Sequence, residues 1–283
     1  MSADAVFDSL EQHDIPTCLG RMRVRSGGSG PAIMFWSSLL MNGRMWSAQA
    51  EHFIGRYRVL LVDPPGHGDS EPLRRGFTFE ECARCVVEIL DALGIERTHF
   101  VGNSWGGMMG GTLAARHPQR VGLSVLMNCT ASPAGLRHRL EFPLLSRMVR
   151  LLGGVRGPIT GSVINAFVGP TSLRERPQVV ATIRRELARI DVNSVGWAVN
   201  SVVPQRPDQH ALVATIRTPV LVVAGIEDRT FPVAETRAMA QSIPGAEFVV
   251  LERAAHLAGL EVPEQVNALI EARLERFVPA AAA

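Results

Sequence analysis

Ser104, Asp228 and His256 have the residue types and the chain order that nucleophilic catalysis requires. Ser104 lies in residues 102–106 (GNSWG), a G-x-S-x-G pattern. A short apolar run before this pattern predicts a strand, and a run rich in Met, Ala and Gly after it predicts a helix. A serine in such a turn presents its hydroxyl at the carboxyl end of the strand. A histidine can take the serine proton and a carboxylate can orient that histidine, so the sequence predicts a Ser-Asp-His triad.

The turn that carries Ser104 has to be tight, because a strand passes into a helix within a few residues. Gly102 and Gly106 flank it, and we expect a Cβ at either position to collide with neighbouring backbone. Gly107, Gly110 and Gly111 then allow the helix to pack closely on the sheet. The same turn directs the first helical N–H groups towards the reacting atom.

The candidate acid and base each follow a predicted strand. Residues 219–224 (PVLVVA) and 247–251 (EFVVL) are apolar runs typical of strands in a parallel sheet. Asp228 follows the first run, with Glu227 as the alternative one position away, and His256 follows the second. Residues that leave parallel strands at their carboxyl ends meet at one edge of the sheet, so we expect the triad to assemble there.

Strand and helix patterns alternate along most of the chain, which predicts an α/β fold with a mostly parallel central sheet flanked by helices. Residues 1–14 are expected to be a loose or helical leader, and residues 17–25 a hairpin at the sheet edge. The helix at 78–93 has Thr78 as its N-cap and ends at Gly94. The predicted strands are 32–36, 58–62, 99–101, 121–127, 219–224 and 247–251, and further helices are expected at 233–243 and 263–277.

The alternation stops between residues 132 and 215, where the sequence is Arg-rich and its helical pattern is interrupted by Gly and Pro. We therefore expect a core of residues 1–131 and 216–283 with a helical lid of residues 132–215 inserted in it. Apolar residues recur in the lid at helical spacing, at Leu144, Leu145, Met148, Leu151 and Leu152. We expect this lid to roof Ser104, with Trp197 on or near the pocket wall.

Composition narrows the class of protein. A chain of 283 residues with 46% hydrophobic residues can form one large α/β domain, and a net charge of +2 gives no indication of a nucleic-acid partner. All 29 basic residues are Arg, which excludes lysine Schiff-base and P-loop lysine chemistry. No apolar run suits a membrane span or a signal peptide, so we expect a cytoplasmic protein with a small-molecule substrate. Nothing in the sequence sets its oligomeric state.

The cysteines do not form a pattern that indicates a metal. Cys82 and Cys85 have C-x-x-C spacing, but they lie in a helical pattern without a second pair or a thioredoxin-like context. Cys18 and Cys129 are isolated. We expect neither a metal nor an organic cofactor, because triad chemistry requires none.

Together with the Ser104 turn and the triad order, residues 63–70 (DPPGHGDS) extend a resemblance to a known family over nearly the whole chain. This stretch resembles the D-x-x-G-x-G-x-S sequence of the α/β-hydrolase fold serine hydrolases, in which the histidine corresponding to His67 is usually structural. The resemblance implies the α/β-hydrolase fold with a helical lid and an oxyanion hole built from backbone N–H groups.

Within this family, the motifs are most similar to those of 3-oxoadipate enol-lactonases. Residues 37–39 before Met45-Trp46 resemble their Asn-Ser-Leu run before Met-Trp, and Gly196-Trp197 resembles a Gly-Tyr of their lid. Residues 255–257, followed by 261–263, resemble their histidine segment. Two departures are Leu40, where those enzymes usually carry Gly, and residues 36–38, which replace the His-Gly of most other family members.

Two alternatives to an ester or lactone hydrolase stay open. Asn103 and Asp228-Arg229 also resemble meta-cleavage product hydrolases, which cut carbon–carbon bonds, although these usually carry Trp where Leu257 stands. A ligand receptor on a hydrolase scaffold can also retain an intact triad.

The oxyanion hole is expected to use the backbone N–H groups of Trp105 and Leu39. Trp105 follows the nucleophile, and Leu39 is reached by counting back from Met45-Trp46, with Ser38 as the alternative one position away. Each such donor contributes roughly 3 kcal/mol to lowering a barrier. The residues expected to form an apolar pocket for a small to medium substrate are Ser38, Leu40, Trp105, Met108 and Trp197.

Overall fold

The computed structural model describes residues 3–277, apart from 137–138, 143–146, 148 and 150–152. Within these residues the strands are β1 (Glu11–Thr17), β2 (Gly20–Gly27), β3 (Ala32–Trp36), β4 (Arg58–Val62), β5 (Thr98–Asn103), β6 (Val121–Met127), β7 (Val220–Gly225) and β8 (Glu247–Leu251). The helices are α1 (Ala3–Ser9), α2 (Ser47–Phe53), α3 (Phe79–Ala92), α4 (Trp105–Arg116), α5 (Pro158–Phe167), α6 (Pro170–Glu175), α7 (Pro177–Leu187), α8 (Val192–Val202), α9 (His210–Val213), α10 (Val233–Ser242), α11 (Ala258–Glu261) and α12 (Pro263–Leu274).

These strands form one sheet in the order β1-β2-β4-β3-β5-β6-β7-β8. The pairs β1–β2 and β2–β4 are antiparallel and every other neighbouring pair is parallel. The mostly parallel α/β architecture predicted from the sequence is therefore confirmed.

The edge hairpin begins earlier than the sequence predicted. It pairs Glu11 with Ser26 and turns between Thr17 and Gly20, whereas the prediction began at residue 17. In β1 only Ile15 is fully buried, because the strand lies at the edge of the sheet. Its residues are therefore mostly polar, and the apolar alternation that identifies a strand is missing from the sequence.

Helices cover both faces of the sheet, which explains its continuous apolar strands. Every residue of β3, β6 and β7 is buried, and two apolar clusters lie on opposite faces. Helix α3 packs against α4, the helix that follows Ser104. Its N-terminus is a capping box in which the Thr78 side chain accepts from the Glu81 N–H and the Glu81 carboxylate accepts from the Thr78 N–H.

Between β6 and β7 the chain forms a helical insert, the described part of residues 132–215, which contains α5 to α9. The apolar positions predicted at Leu144, Leu145, Met148, Leu151 and Leu152 lie outside the described residues. Among the helices that are described, none has the length and apolar character needed to cross a bilayer.

The turn between β5 and α4 is as crowded as the sequence indicated. Ser104 has a left-handed backbone, with φ 55° and ψ −112°. A Cβ built on Gly102 would lie 2.2 Å from the Gly106 oxygen, and one built on Gly106 would lie 2.4 Å from the Trp36 oxygen. Both contacts are with backbone atoms that cannot rotate away, so the turn depends on glycine at both positions.

We expect Gly102→Ala to lower the free energy of unfolding by about 3 kcal/mol or more, because the added methyl group overlaps the backbone that forms the turn. The matched control is Gly55→Ala, since a Cβ at Gly55 meets no atom within 4 Å. The control should change stability by less than about 1 kcal/mol. Urea unfolding of the two variants and the parent measures this difference, and equal stabilities would contradict the crowding.

Candidate active site

The structure brings Asp228 and His256 together at the carboxyl ends of two adjacent parallel strands. Asp228 follows β7 and His256 follows β8. The Nδ1 atom of His256 lies 2.9 Å from Oδ2 of Asp228, and both side chains are buried. Because Nδ1 is engaged by the carboxylate, Nε2 is the ring nitrogen left for proton transfer.

The Asp228 carboxylate is held by several donors besides the histidine. Its Oδ1 accepts from the N–H groups of Thr230, at 2.8 Å, and Phe231, at 3.1 Å. Its Oδ2 also accepts from the Asn128 amide at 3.1 Å, and the same amide donates to the Ala255 carbonyl at 2.8 Å. These bonds compensate a buried negative charge and fix the direction in which it faces the imidazole.

Glu227, the alternative acid, points elsewhere. Its carboxylate accepts from the N–H of Thr171 at 3.0 Å and from the Thr171 hydroxyl, both in α6 of the helical insert. The side chain next to Asp228 in sequence therefore attaches the insert to the end of β7, and Asp228 is the carboxylate that meets His256.

Ser104 lies at the other side of the same site. Its side chain is almost fully buried, and Ser104 and His256 line one cavity. The Ser104 N–H donates to the Met127 carbonyl at 2.8 Å, which ties the turn to β6. The Asn103 amide donates to the His256 carbonyl at 2.8 Å, so the serine turn and the histidine loop are connected directly.

Sequence reasoning did not assign roles to Asn128 or Glu261, and it used Asn103 only as a point of resemblance. Glu261 is buried, and its carboxylate accepts from the N–H groups of Ala255, at 2.9 Å, and Leu257, at 3.2 Å, on either side of His256. Burial raises the pKa of Glu261, and these hydrogen bonds oppose that shift. For Asn103 and Asn128, the available signal was a polar residue at the end of a predicted strand, and Glu261 carried no such signal.

The structure places the two expected oxyanion donors at the cavity end of the sheet. Trp105 is the first residue of α4, where an N–H has no partner within the helix. In the loop after β3, the Leu40 N–H donates to His67 Nε2 and the Met41 N–H donates to the Ser38 carbonyl, each at 3.1 Å. Among the hydrogen bonds of the described residues, none uses the Leu39 N–H, which leaves this group for a ligand.

A cavity of about 610 Å³ extends from Ser104 and His256 into the helical insert. Of the residues expected in the pocket, Ser38, Leu40 and Met108 line this cavity, together with Leu39. Its walls are mainly apolar side chains of the insert, among them Ile159, Val163, Phe167, Val195, Val199 and Val202.

Two residues expected in the pocket lie elsewhere, which corrects the expectation. The Trp105 indole is fully buried, stacks on Phe77 with ring centroids 5.2 Å apart and meets Trp36 edge-on at 5.8 Å. Trp197 is 37% exposed and is absent from the cavity lining. Val195 and Val199 line the cavity, and residue 197 lies on the opposite face of α8 because each residue turns a helix by about 100°.

Two arginines also line the cavity, and one of them is buried. Arg206, in the insert, donates from Nε to the Ser132 carbonyl at 2.9 Å and is 6% exposed. Among the salt bridges of the described residues, none involves Arg206. Burial lowers the pKa of Arg206, and the charge of Glu235 opposes this shift. Arg229, the second one, is exposed. A buried guanidinium without a salt-bridge partner can bind an anionic group of a ligand by donating hydrogen bonds to it.

The cysteines lie outside this cavity. Cys82 and Cys85 are buried in α3, and burial raises the pKa of both thiols. The Cys85 sulfur is 3.6 Å from that of Cys18, and these two thiols with Glu88 are the one group of potential metal ligands found in the described part of the chain.

The fold and this site define the chain as a member of the α/β-hydrolase fold family. The family's profile matches residues 31–263, which is most of the chain. The resemblance seen in the sequence motifs is confirmed at this level.

Individual relatives within the family differ in the reactions their names describe. The chain is 29% identical to 3-oxoadipate enol-lactonase 2 of Acinetobacter baylyi over 247 residues, 87% of this chain and 90% of that one. It is 32% identical to a 2-hydroxy-6-oxononadienedioate/2-hydroxy-6-oxononatrienedioate hydrolase of Paraburkholderia phymatum, over 86% of this chain and 83% of that one. A thermophilic esterase from Thermogutta terrifontis has a similar structure, with a TM-score of 0.87, 26% identity and coverage of 94% of this chain and 98% of the esterase.

We expect Asp228→Asn to lower kcat by about 10⁴-fold, because an amide in this place favours the wrong tautomer of His256. Glu227→Gln is the control, since its amide keeps one oxygen that can accept from Thr171, and kcat should stay within about tenfold of the parent. Steady-state kinetics on one ester substrate compare the two variants. Equal losses, or a larger loss at Glu227, would contradict the assignment of the acid.

Proposed function

We propose that this protein is a serine hydrolase that cleaves an ester or lactone of a small to medium, largely apolar substrate through an acyl-enzyme. The observation that carries the proposal is the buried Asp228–His256 hydrogen bond, 2.9 Å long, beside a cavity that also contains Ser104 on its strained turn. The family membership of the chain supports hydrolysis as the reaction class.

In the acylation step, the Ser104 oxygen attacks the substrate carbonyl carbon while His256 Nε2 takes the hydroxyl proton. The Asp228 carboxylate holds the imidazole in place and stabilises the imidazolium. The N–H groups of Leu39 and Trp105 donate to the oxygen that becomes negatively charged. As the tetrahedral intermediate collapses, the bond to the leaving oxygen breaks and His256 gives its proton to that oxygen.

In the deacylation step, a water molecule attacks the acyl carbon of the Ser104 ester. His256 takes a proton from this water, and the same two N–H groups stabilise the second tetrahedral intermediate. Collapse of this intermediate returns the proton to the Ser104 oxygen and releases the carboxylic acid. A lactone follows the same steps, with its alcohol still attached to the acyl group.

We also propose that the helical insert acts as the lid of this site. It supplies most of the apolar cavity wall, and α6 is attached beside the triad by the hydrogen bonds between Glu227 and Thr171. Such a wall favours an apolar acyl or ring part and excludes water from the reacting carbonyl.

A carbon–carbon bond hydrolase is the second candidate. It is supported by the 32% identity to the oxononadienedioate hydrolase and by Asn103 in the serine turn. Purified protein given p-nitrophenyl esters and a vinylogous 2-hydroxy-6-oxo dienoate separates the candidates by which substrate has the higher kcat/KM. A ligand receptor would show ligand-dependent thermal stabilisation without sustained turnover on either substrate.

Substitution of the candidate nucleophile tests the covalent mechanism. Ser104→Ala should keep the thermal stability of the fold and lower kcat on the best ester by about 10⁶-fold, because nucleophile and base act as a unit. A fluorophosphonate should label the parent at Ser104 and leave the variant unlabelled, as read by intact mass. Near-full activity of Ser104→Ala would rule out the covalent mechanism. Thr112→Ala, a buried hydroxyl of α4 outside the cavity lining, is the control and should keep the labelling.

The length of the acyl group tests the apolar character of the pocket. A p-nitrophenyl hexanoate should exceed the acetate in kcat/KM by about 200-fold, because four more CH₂ groups enter an apolar cavity at about 0.8 kcal/mol each. A muconolactone-type substrate with a free carboxylate tests the opposite case. A strong preference for it would contradict the apolar specificity, and Arg206→Met would then lower kcat/KM for the carboxylated lactone while sparing the hexanoate.

A further inference from the structure

The loop that presents the Leu39 N–H is a tight turn over residues 38–41. The Met41 N–H donates to the Ser38 carbonyl at 3.1 Å, which closes the turn. Leu40, its third residue, has φ 66°, whereas Leu39 is not among the residues of positive φ. This combination defines a type II turn, whose third position favours glycine because a side chain there is strained.

A less strained turn is available to this sequence. A type I turn keeps the same closing bond but has a negative φ at its third position, and it is reached by flipping the peptide between Leu39 and Leu40. That flip would change ψ of Leu39 and reverse the dipole of the peptide that follows the candidate oxyanion donor. Leucine at position 40 therefore favours the type I turn, in which the peptide that follows the Leu39 N–H is reversed.

His67 opposes this flip through one hydrogen bond. Its Nε2 lies 3.1 Å from the Leu40 nitrogen and accepts that N–H, which belongs to the peptide that would flip. Its Nδ1 lies 3.0 Å from the Pro65 carbonyl, an acceptor, so the ring carries its proton on Nδ1 and keeps Nε2 as an acceptor. After a flip, His67 Nε2 would face the Leu39 carbonyl and both acceptors would lack a donor inside the protein.

Two further observations fit a positioning role for His67. The ring is buried, and desolvation lowers its pKa to about 4, so Nε2 stays unprotonated and able to accept at neutral pH. The imidazole also contacts the indole of Trp105, with ring centroids 5.5 Å apart. His67 therefore touches the turn that presents one candidate donor and the residue that carries the other.

We propose that His67 is a positioning residue of the oxyanion hole, which holds the Ser38–Met41 turn in its type II form against the preference of Leu40. This inference rests on the proposed function, because it assigns a task to His67 in stabilising the oxyanion. It predicts that the need for His67 depends on which residue occupies position 40.

A double-mutant cycle between positions 67 and 40 tests this dependence. His67→Asn keeps an amide that can donate to Pro65 but is too short to accept from Leu40. It should lower kcat by about tenfold to 100-fold, within the loss that follows removal of a whole donor, with little change in KM. His67→Gln reaches further and should recover most of this loss. In a Leu40→Gly background, where the type II turn is unstrained, His67→Asn should lower kcat by less than about threefold.

The proteins of this cycle also distinguish positioning from a general structural role. Equal effects of His67→Asn in the parent and in the Leu40→Gly background would overturn the inference. The inference would also be overturned if His67→Asn lowered thermal stability in parallel with kcat and Leu40→Gly did not restore that stability. Affinity for a trifluoromethyl ketone, whose adduct carries an oxyanion, should fall in parallel with kcat and be restored by Leu40→Gly.

Two measurements on the unsubstituted protein separate this inference from the proposed function. Failure of a fluorophosphonate to label Ser104 would overturn both. Labelling together with the absence of a ¹⁵N–¹⁵N scalar coupling between the Leu40 amide and His67 Nε2 would overturn only the inference. If neither His67 variant folds, this coupling alone decides: its presence supports the inference and its absence overturns it.

Discussion

The left-handed backbone of Ser104 is the constraint on which the rest of the structure depends. Such a conformation in a residue with a side chain costs roughly 1–3 kcal/mol, and it persists only where the surroundings fix it. Here the Ser104 N–H is bonded to the Met127 carbonyl of β6, and Gly102 and Gly106 let neighbouring backbone approach within distances that any Cβ would prevent. The parallel pairing of β3, β5 and β6 therefore determines where the serine hydroxyl points.

Around this serine, a network of buried polar groups holds loops that would otherwise be independent. Asn103 connects the serine turn to the His256 carbonyl, and Asn128 connects the end of β6 to Asp228 and Ala255. Glu261 binds the N–H groups on both sides of His256. Because unpaired polar groups in the interior are costly, these bonds favour one arrangement of the loops, in which Asp228 faces His256.

The helical insert is attached to the same strand ends. Glu227 binds Thr171 and Glu261 binds the Ser172 hydroxyl at 2.6 Å, so two carboxylates beside the candidate acid and base hold the start of α6. The insert also supplies most of the apolar cavity wall. The sheet thus sets which groups meet at the cavity, and the insert sets the shape of the space beside them.

The sequence by itself determined the α/β class, the succession of strands and helices along the chain and the three residues of the candidate triad, because each depends on local patterns. Apolar runs such as β3 and β6 identify strands buried on both faces, and glycine spacing identifies the turn at Ser104. The edge strand β1 escaped this reasoning, since a strand exposed on one side lacks the apolar run.

Only the tertiary structure decided which side chains share a space. Asp228 and Glu227 are neighbours in sequence, but Asp228 meets His256 and Glu227 meets Thr171. This difference follows from the direction in which the loop after β7 turns. Trp197 does not line the cavity, because the orientation of α8 directs Val195 and Val199 towards it instead. His67 met Leu40 across 27 residues, and no local pattern encodes such a contact, because it depends on how two loops pack at the edge of one sheet.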